Sequence, residues 1–150
     1  MKKIILLFLI FIVNSSFKDI GSASAILTCK SDSGRTSFYA ELQDITGGLE
    51  KAEFIVDETK MSFITSESNI IFDEENKVFT MRIIDEKDDR FEYGKFIEFY
   101  AIPSTFKFSK SKSGGDIYEF KAIIKGTEPR KNKGNYLPTI QLNCKMVYEI

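Results

Sequence analysis

The sequence predicts a single all-β domain, a small antiparallel β-barrel or β-sandwich of about eight to nine strands with a disulfide between the first and last strands. Two observations predict it. Short segments in which apolar and polar residues alternate recur along the chain, separated by turns rich in glycine, serine and acidic residues. The two cysteines fall in the first and the last of these segments. Short strands joined by turns at this spacing are typical of barrels and sandwiches.

Residues 1–25 have the features of a secretory signal peptide. Lys2 and Lys3 form a basic start, Ile4–Val13 is an unbroken apolar run, and Ala23-Ser24-Ala25 is a small-residue cleavage site. The apolar run is shorter than the roughly 18 residues expected of a membrane span. We therefore expect a single β-domain, 26–150, that is periplasmic or extracellular and has no membrane span after cleavage.

Charge and composition limit the functions open to this domain. Removal of residues 1–25 takes away three basic residues and one acidic residue, and leaves a net charge of −3. A dedicated nucleic-acid-binding domain should instead show an excess of basic residues. Apolar residues are plentiful enough for a hydrophobic core. The sequence therefore predicts a folded domain that does not bind nucleic acid.

Cys29 and Cys144 are predicted to point into the core. Cys29 shares the apolar side of its strand with Leu27, and Cys144 shares the same side with Leu142 and Met146. In an oxidising compartment, two cysteines indicate a disulfide, while two separate buried thiols are the alternative. Because the bridge would close most of the domain, chain-entropy arithmetic gives it about 4–5 kcal/mol of stabilisation.

The remaining strands follow from the alternation of side chains. The segment Leu49–Val56 fits a short helix as well as a strand, and its phenylalanine and β-branched residues favour the strand. The other candidates, in order, are Thr36–Leu42, Lys60–Thr65, Asn69–Phe72, Val78–Ile84, Phe91–Ile102, Thr105–Phe108, Ile117–Lys125 and Thr139–Tyr148.

The segment Phe91–Ile102 is the most aromatic part of the chain. It carries Tyr93 on one side and Phe96 and Tyr100 on the other. A strand that is apolar on both faces lies between two layers or against a ligand. We therefore count Tyr93 and Tyr100 among the candidate binding residues, on the hypothesis of an open aromatic interior.

The residue types argue against catalysis. The chain has no histidine, and a disulfide would leave no free thiol, so the most common bases, nucleophiles and metal ligands are missing. The acidic runs Asp73-Glu74-Glu75 and Asp85–Asp89 do not match a calcium-binding loop and are interpreted as solvated turns. Glu92 and Glu98 are roughly 20 Å apart along one strand, too far for a shared reaction. We expect no enzyme activity, no metal and no cofactor.

Two long loops flank the strand Ile117–Lys125 and are candidates for binding a partner, because recognition usually falls to loops held by a rigid scaffold. Since the loops follow and precede one strand, they lie at opposite ends of the sheet. We favour Gly126–Gly134, whose cations can contact an acidic protein or an anionic envelope polymer. Its candidate residues are Arg130, Lys131 and Lys133, and those of the other loop, Ser109–Asp116, are Ser111 and Ser113.

The residues around the two cysteines, Thr28-Cys29 and Leu142-Asn143-Cys144, and the segment 111–118 resemble the periplasmic inhibitors of c-type lysozymes. Those proteins are small β-barrels that present a serine- and glycine-containing loop, followed by tyrosine, to the active-site cleft of the enzyme. The chain departs from that pattern in the spacing of the loop and in having no tryptophan. The sequence thus predicts a non-catalytic extracytoplasmic domain that binds a protein or a ligand. A periplasmic hydrolase inhibitor or an immunity-type protein is the alternative.

Overall fold

A single curled antiparallel sheet makes up the fold. The structure, a computed structural model, describes residues 24–45, 47–64, 67–85, 94–129, 137 and 139–149. Its ten strands are β1 (Ser24–Lys30), β2 (Thr36–Leu42), β3 (Leu49–Val56), β4 (Thr59–Ile64), β5 (Glu67–Asp73), β6 (Val78–Asp85), β7 (Lys95–Ala101), β8 (Lys107–Lys110), β9 (Asp116–Gly126) and β10 (Ile140–Glu149). One 3-10 turn, Pro103–Thr105, is the only helical element among these residues.

The strands follow a meander whose two ends come together. Their order in the sheet is β4-β3-β2-β1-β10-β9-β7-β6-β5, so the first and last strands of the chain are neighbours. The two edge strands, β4 and β5, are consecutive in sequence but are not hydrogen-bonded to each other. The sheet is therefore a half-barrel, closed where the chain ends meet and open between β4 and β5. The all-β prediction is confirmed.

Alternating side chains build the interior. In β1 and β2 every second residue is buried, as period-two patterning requires of a sheet with one face on a core. The largest fully buried side chains include Phe38, Phe79 and Phe99. The ring centroids of Phe38 and Phe79 lie 5.6 and 5.7 Å, respectively, from the ring centroid of Phe99. Aromatic packing therefore fills the centre of the half-barrel. The strand Leu49–Val56, for which a helix was the alternative, is confirmed as β3.

The Cys29–Cys144 disulfide is confirmed. The two cysteines are directly opposite each other in the β1–β10 ladder, with their Cα atoms 4.1 Å apart and a sequence separation of 115. Both are buried. The bridge thus reinforces the pairing that joins the two ends of the meander.

The edge of β9 opposite β10 is covered by two strands in succession. Strand β7 pairs with the C-terminal half of β9, and β8 pairs with its N-terminal residues. Pro103 begins the 3-10 turn between them. Lys121 of β9 is hydrogen-bonded to this turn twice, through its carbonyl from the Ile102 N–H and through its N–H to Thr105 Oγ1. These two hydrogen bonds therefore fix the turn to β9 at the point where β7 ends and β8 has not yet begun.

The N-terminal strand begins before the expected mature N-terminus. Ser24 and Ala25 belong to β1, and Ala25 is fully buried opposite Leu42 and Tyr148. The rest of the predicted signal peptide lies outside the described residues.

Candidate functional site

The loop favoured from the sequence, Gly126–Gly134, is described only as far as Pro129. Arg130, Lys131, Lys133 and Tyr93 lie outside the described residues. The beginning of that loop is held tightly, since Thr127 donates its N–H to the Phe96 carbonyl and accepts the Phe96 N–H through Oγ1, at 2.9 and 3.0 Å. Its cationic residues remain predicted binding residues.

The serine loop is shorter than predicted and internally hydrogen-bonded. Ser109, Lys110 and Asp116 of the predicted loop belong to strands, which leaves five residues, 111–115. Ser111 Oγ lies 2.8 Å from Ser113 Oγ and accepts the Gly115 N–H at 3.0 Å. Gly114 adopts a φ of +95°, a left-handed conformation that favours glycine. The two candidate serines are therefore used to hold a rigid turn.

Tyr100 lies on the outer face of the sheet and not in the interior. Its side chain is 40% exposed and lies beside a row of charges in which Glu98 is 2.9 Å from Lys125 Nζ and 3.7 Å from Arg82 Nε. The Lys125 ammonium lowers the pKa of Glu98 by hydrogen bonding. Phe96 and Leu137 complete a cleft of about 300 Å³ beside this row. Charges here are paired, and Glu98 serves as their common carboxylate.

A groove of about 690 Å³ lies on the outer face of β1, β10 and β9. The 3-10 turn and the start of β8 form one wall of it. The side chains that point outward from the three strands into the groove are exposed. Its lining residues are Thr28, Cys29, Lys30, Ser104, Thr105, Phe106, Lys107, Glu119, Phe120, Lys121, Asn143, Cys144 and Lys145.

Four lysines cross this groove in a zigzag. Lys30 is opposite Asn143, and Lys145 is two residues further along β10, so the two lysines are diagonal neighbours. Lys145 and Lys107 are both opposite Glu119, and Lys121 is two residues further along β9, diagonal to both. Diagonal neighbours on one face of a sheet are about 7–8 Å apart. We call these four residues the lysine stripe, in the spatial order Lys30, Lys145, Lys121, Lys107.

No lysine of the stripe forms an ion pair within the part of the chain that the structure describes. Among the described residues that line the groove, Glu119 is the one carboxylate. Asp32 lies at the β1 end, where it accepts a hydrogen bond from Asn143 Nδ2 at 2.6 Å. The stripe is therefore a concentrated positive charge in a protein whose net charge is −1.

The outer face of β2, β3 and β4 shows what a compensated sheet face looks like in the same molecule. There Lys51 lies 3.7 Å from Glu41 and 3.5 Å from Glu53, and Lys60 Nζ lies 2.7 Å from the same Glu53 carboxylate. Like charges close together on a sheet are destabilising, and opposite charges stabilise. The uncompensated stripe thus departs from the pattern of the other outer faces, and it favours an anionic partner.

The groove floor is held by hydrogen bonds that leave the lysines available. Thr28 Oγ1 donates to the Lys145 carbonyl at 3.3 Å, and Thr105 Oγ1 donates to the Ile102 carbonyl at 2.7 Å. Both hydroxyls thus bond to main-chain groups. The four lysines, by contrast, are exposed on hydrogen-bonded strands, and such a surface can bind several negative charges at a spacing set by the register.

Comparisons with known proteins give this chain no relative: no protein-family model, no curated protein and no solved structure matches it. Among the described residues, no helix is long and apolar enough to cross a membrane. No group of three or more potential metal ligands is found among them either.

The alternation of β9 and β10 puts Lys121 and Lys145 on the side opposite their buried neighbours, but it does not bring the four lysines together. Alternation does not give the register between strands. The four residues are scattered from position 30 to position 145 and become neighbours only when β1, β10, β9 and β8 pair in this register.

Proposed function

We propose that this protein is a non-catalytic binding domain that acts outside the cytoplasm and holds an anionic partner in the groove crossed by the lysine stripe. The observation that carries this proposal is the uncompensated charge of the stripe, beside two outer faces on which charges are paired. Positive charge concentrated in a groove raises the local concentration of anions and their rate of association.

A binding role also agrees with the residue types. The chain has no histidine, and its two cysteines are joined, so neither a thiolate nor an imidazole is available for chemistry. The disulfide fits an oxidising compartment, which supports export by the predicted signal peptide.

Charge substitutions in the groove test the proposal. We expect Lys121→Glu with Lys145→Glu to reduce binding of dextran sulfate, measured by isothermal titration calorimetry at near-physiological salt, by at least tenfold, since each lost contact at an exposed site is worth up to about 1 kcal/mol and reversal adds repulsion. Glu119→Gln should strengthen the same binding, because it removes the one carboxylate among the described residues that line the groove.

Matched controls separate the groove from general charge. Lys51→Glu with Lys60→Glu changes the net charge equally on the compensated outer face of β2, β3 and β4, and should leave binding within about twofold of the wild type. Thermal unfolding of every variant monitors folding. Equal loss from both double variants, or no gain from Glu119→Gln, would contradict a site in the groove.

Inhibition of a hydrolase is the second candidate function. It is supported by the Ser111–Gly115 turn, because a loop ordered before binding loses less entropy when it enters an active-site cleft. Inhibition of a c-type lysozyme that survives the groove substitutions but is lost with Lys112→Glu would assign the function to this turn.

A further inference from the structure

The geometry of the lysine stripe points to a linear polyanion as the partner, and this inference rests on the binding function proposed above. We infer that the groove holds a flexible linear polymer that carries one negative charge per repeat and follows the zigzag of the lysines across the strands of the sheet. Its repeats would meet Lys30, Lys145, Lys121 and Lys107 in that order.

The spacing of the lysines carries the first step. Each is diagonal to the next on an adjacent strand, so successive Cα atoms are about 7–8 Å apart and the zigzag path through the four is about 21–24 Å long. Because the path turns at each lysine and adjacent strands are about 4.8 Å apart, the two end Cα atoms are only about 16 Å apart in a straight line. The register fixes this order, because all four residues lie on three adjoining antiparallel ladders. A site for one small anion would need these charges to converge, whereas the strands hold them apart in a row.

The type of cation carries the second step. The stripe contains four lysines and no arginine. An ammonium group is a compact point charge without the fixed fork of a guanidinium, and it accepts an anion from many directions. A row of such charges suits a flexible chain of phosphate or other monoanionic groups more than a folded acidic protein, in which specificity comes from bidentate contacts and a packed apolar centre.

The shape of the groove carries the third step. The 3-10 turn and β8 form one wall of the groove beside Lys107, and the exposed Ser104 lies on that wall. At the other end, Asp32 is held by Asn143 beside Lys30. Beyond Lys30 the facing residue of β2 is Ser37, which carries no charge, so the stripe ends at four lysines.

A series of glycerol phosphate oligomers tests the inference. A repeat with six backbone bonds of about 1.5 Å spans about 7 Å when extended. This length matches the distance from one lysine of the stripe to the next. We expect affinity measured by calorimetry to rise with each repeat from one to four and then to level off. The end variant Lys30→Gln with Lys107→Gln keeps two adjacent lysines, so affinity should level off at two repeats.

The centre variant Lys145→Gln with Lys121→Gln has the same net charge as the end variant, and its remaining lysines are too far apart for adjacent repeats. It should show almost no gain in affinity from one repeat to two. If the wild type binds one repeat as tightly as four, in a manner that depends on these lysines, the partner is a small anion and the polymer is excluded, while the proposed binding function stands.

Two other outcomes are equally informative. If the oligomers bind but neither double variant changes the length dependence, the polymer is held elsewhere and the inference fails. If no oligomer binds and an acidic protein binds through the same lysines, the partner is a protein and the inference is again wrong. Failure of dextran sulfate and of every oligomer would overturn the binding function as well.

Discussion

Removal of the disulfide should cost this domain much of its stability. The bridge spans 115 residues, so chain-entropy arithmetic gives about 4.8 kcal/mol for cross-linking the unfolded chain. We expect the double substitution Cys29→Ala with Cys144→Ala to lower the free energy of unfolding by about 3–5 kcal/mol, since engineered and native bridges often deliver less than this model predicts. Both positions are buried, so alanine avoids leaving an unpaired thiol in the core.

Urea unfolding followed by far-ultraviolet circular dichroism measures the effect. The slope of the free energy with urea should also increase, because an unfolded chain without the bridge is less compact and exposes more surface. Wild-type protein in reductant is the matched control and should behave like the double variant, which itself should not respond to reductant. A loss below about 1 kcal/mol with an unchanged slope would refute the closure argument.

Two further predictions concern the sheet. Gly126→Ala should destabilise the fold by about 1–3 kcal/mol or more, because a Cβ there would lie 2.3 Å from the Phe96 carbonyl oxygen across the β7–β9 ladder. Gly48→Ala is the control, since a Cβ at Gly48 would have a side-chain oxygen of Gln43 as its nearest neighbour, at 3.4 Å. It should lower stability far less in the same urea assay. Glu53→Gln should lower stability by about 0.2–1 kcal/mol at neutral pH. The hydrogen bond from Lys60 lowers the pKa of Glu53 below its ordinary value of 4.5, so this stabilisation is present above that pH and is lost as the pH falls through the lower value of the folded state. The unfolding curves of the variant and the wild type should therefore converge in acid, and a constant difference down to low pH would contradict the ion pair as its source.

The strands could be predicted because period-two alternation is a local signal. Thr36–Leu42 and Leu49–Val56 begin and end in the structure at the predicted residues. The ambiguity in the second of these was resolved by Phe54 and Val56, which suit a half-buried pleated surface. The disulfide followed from the parity of Cys29 and Cys144 with their apolar neighbours. Whether the sheet formed a barrel or a sandwich could not be predicted, since curvature depends on how all ten strands pack together.

The candidate site depended on contacts that the sequence does not encode locally. Tyr100 was correctly placed on the side of its strand opposite Phe99, but the hypothesis of an aromatic interior needed that side to face a cavity, and it faces solvent. Ser111 and Ser113 carried a plausible binding pattern, yet their hydroxyls are used within the turn. The lysine stripe required the register of three ladders, for which alternation gives only the face and not the alignment.

The pairing of β1 with β10 makes the order of events in folding unusual for a meander. Hairpins such as β1–β2 and β5–β6 can form as soon as both strands exist, because their residues are close in sequence. One edge of β1 must instead remain open until the last ten or so residues of the chain are available. Contacts of such long sequence separation slow folding, since the loop-closure entropy is lost before the contacts are made. A chain that stops before β10 would therefore expose the edges of both β1 and β9 and leave Cys29 without its partner. The two halves of the sheet can therefore join only after β10 has paired with both β1 and β9.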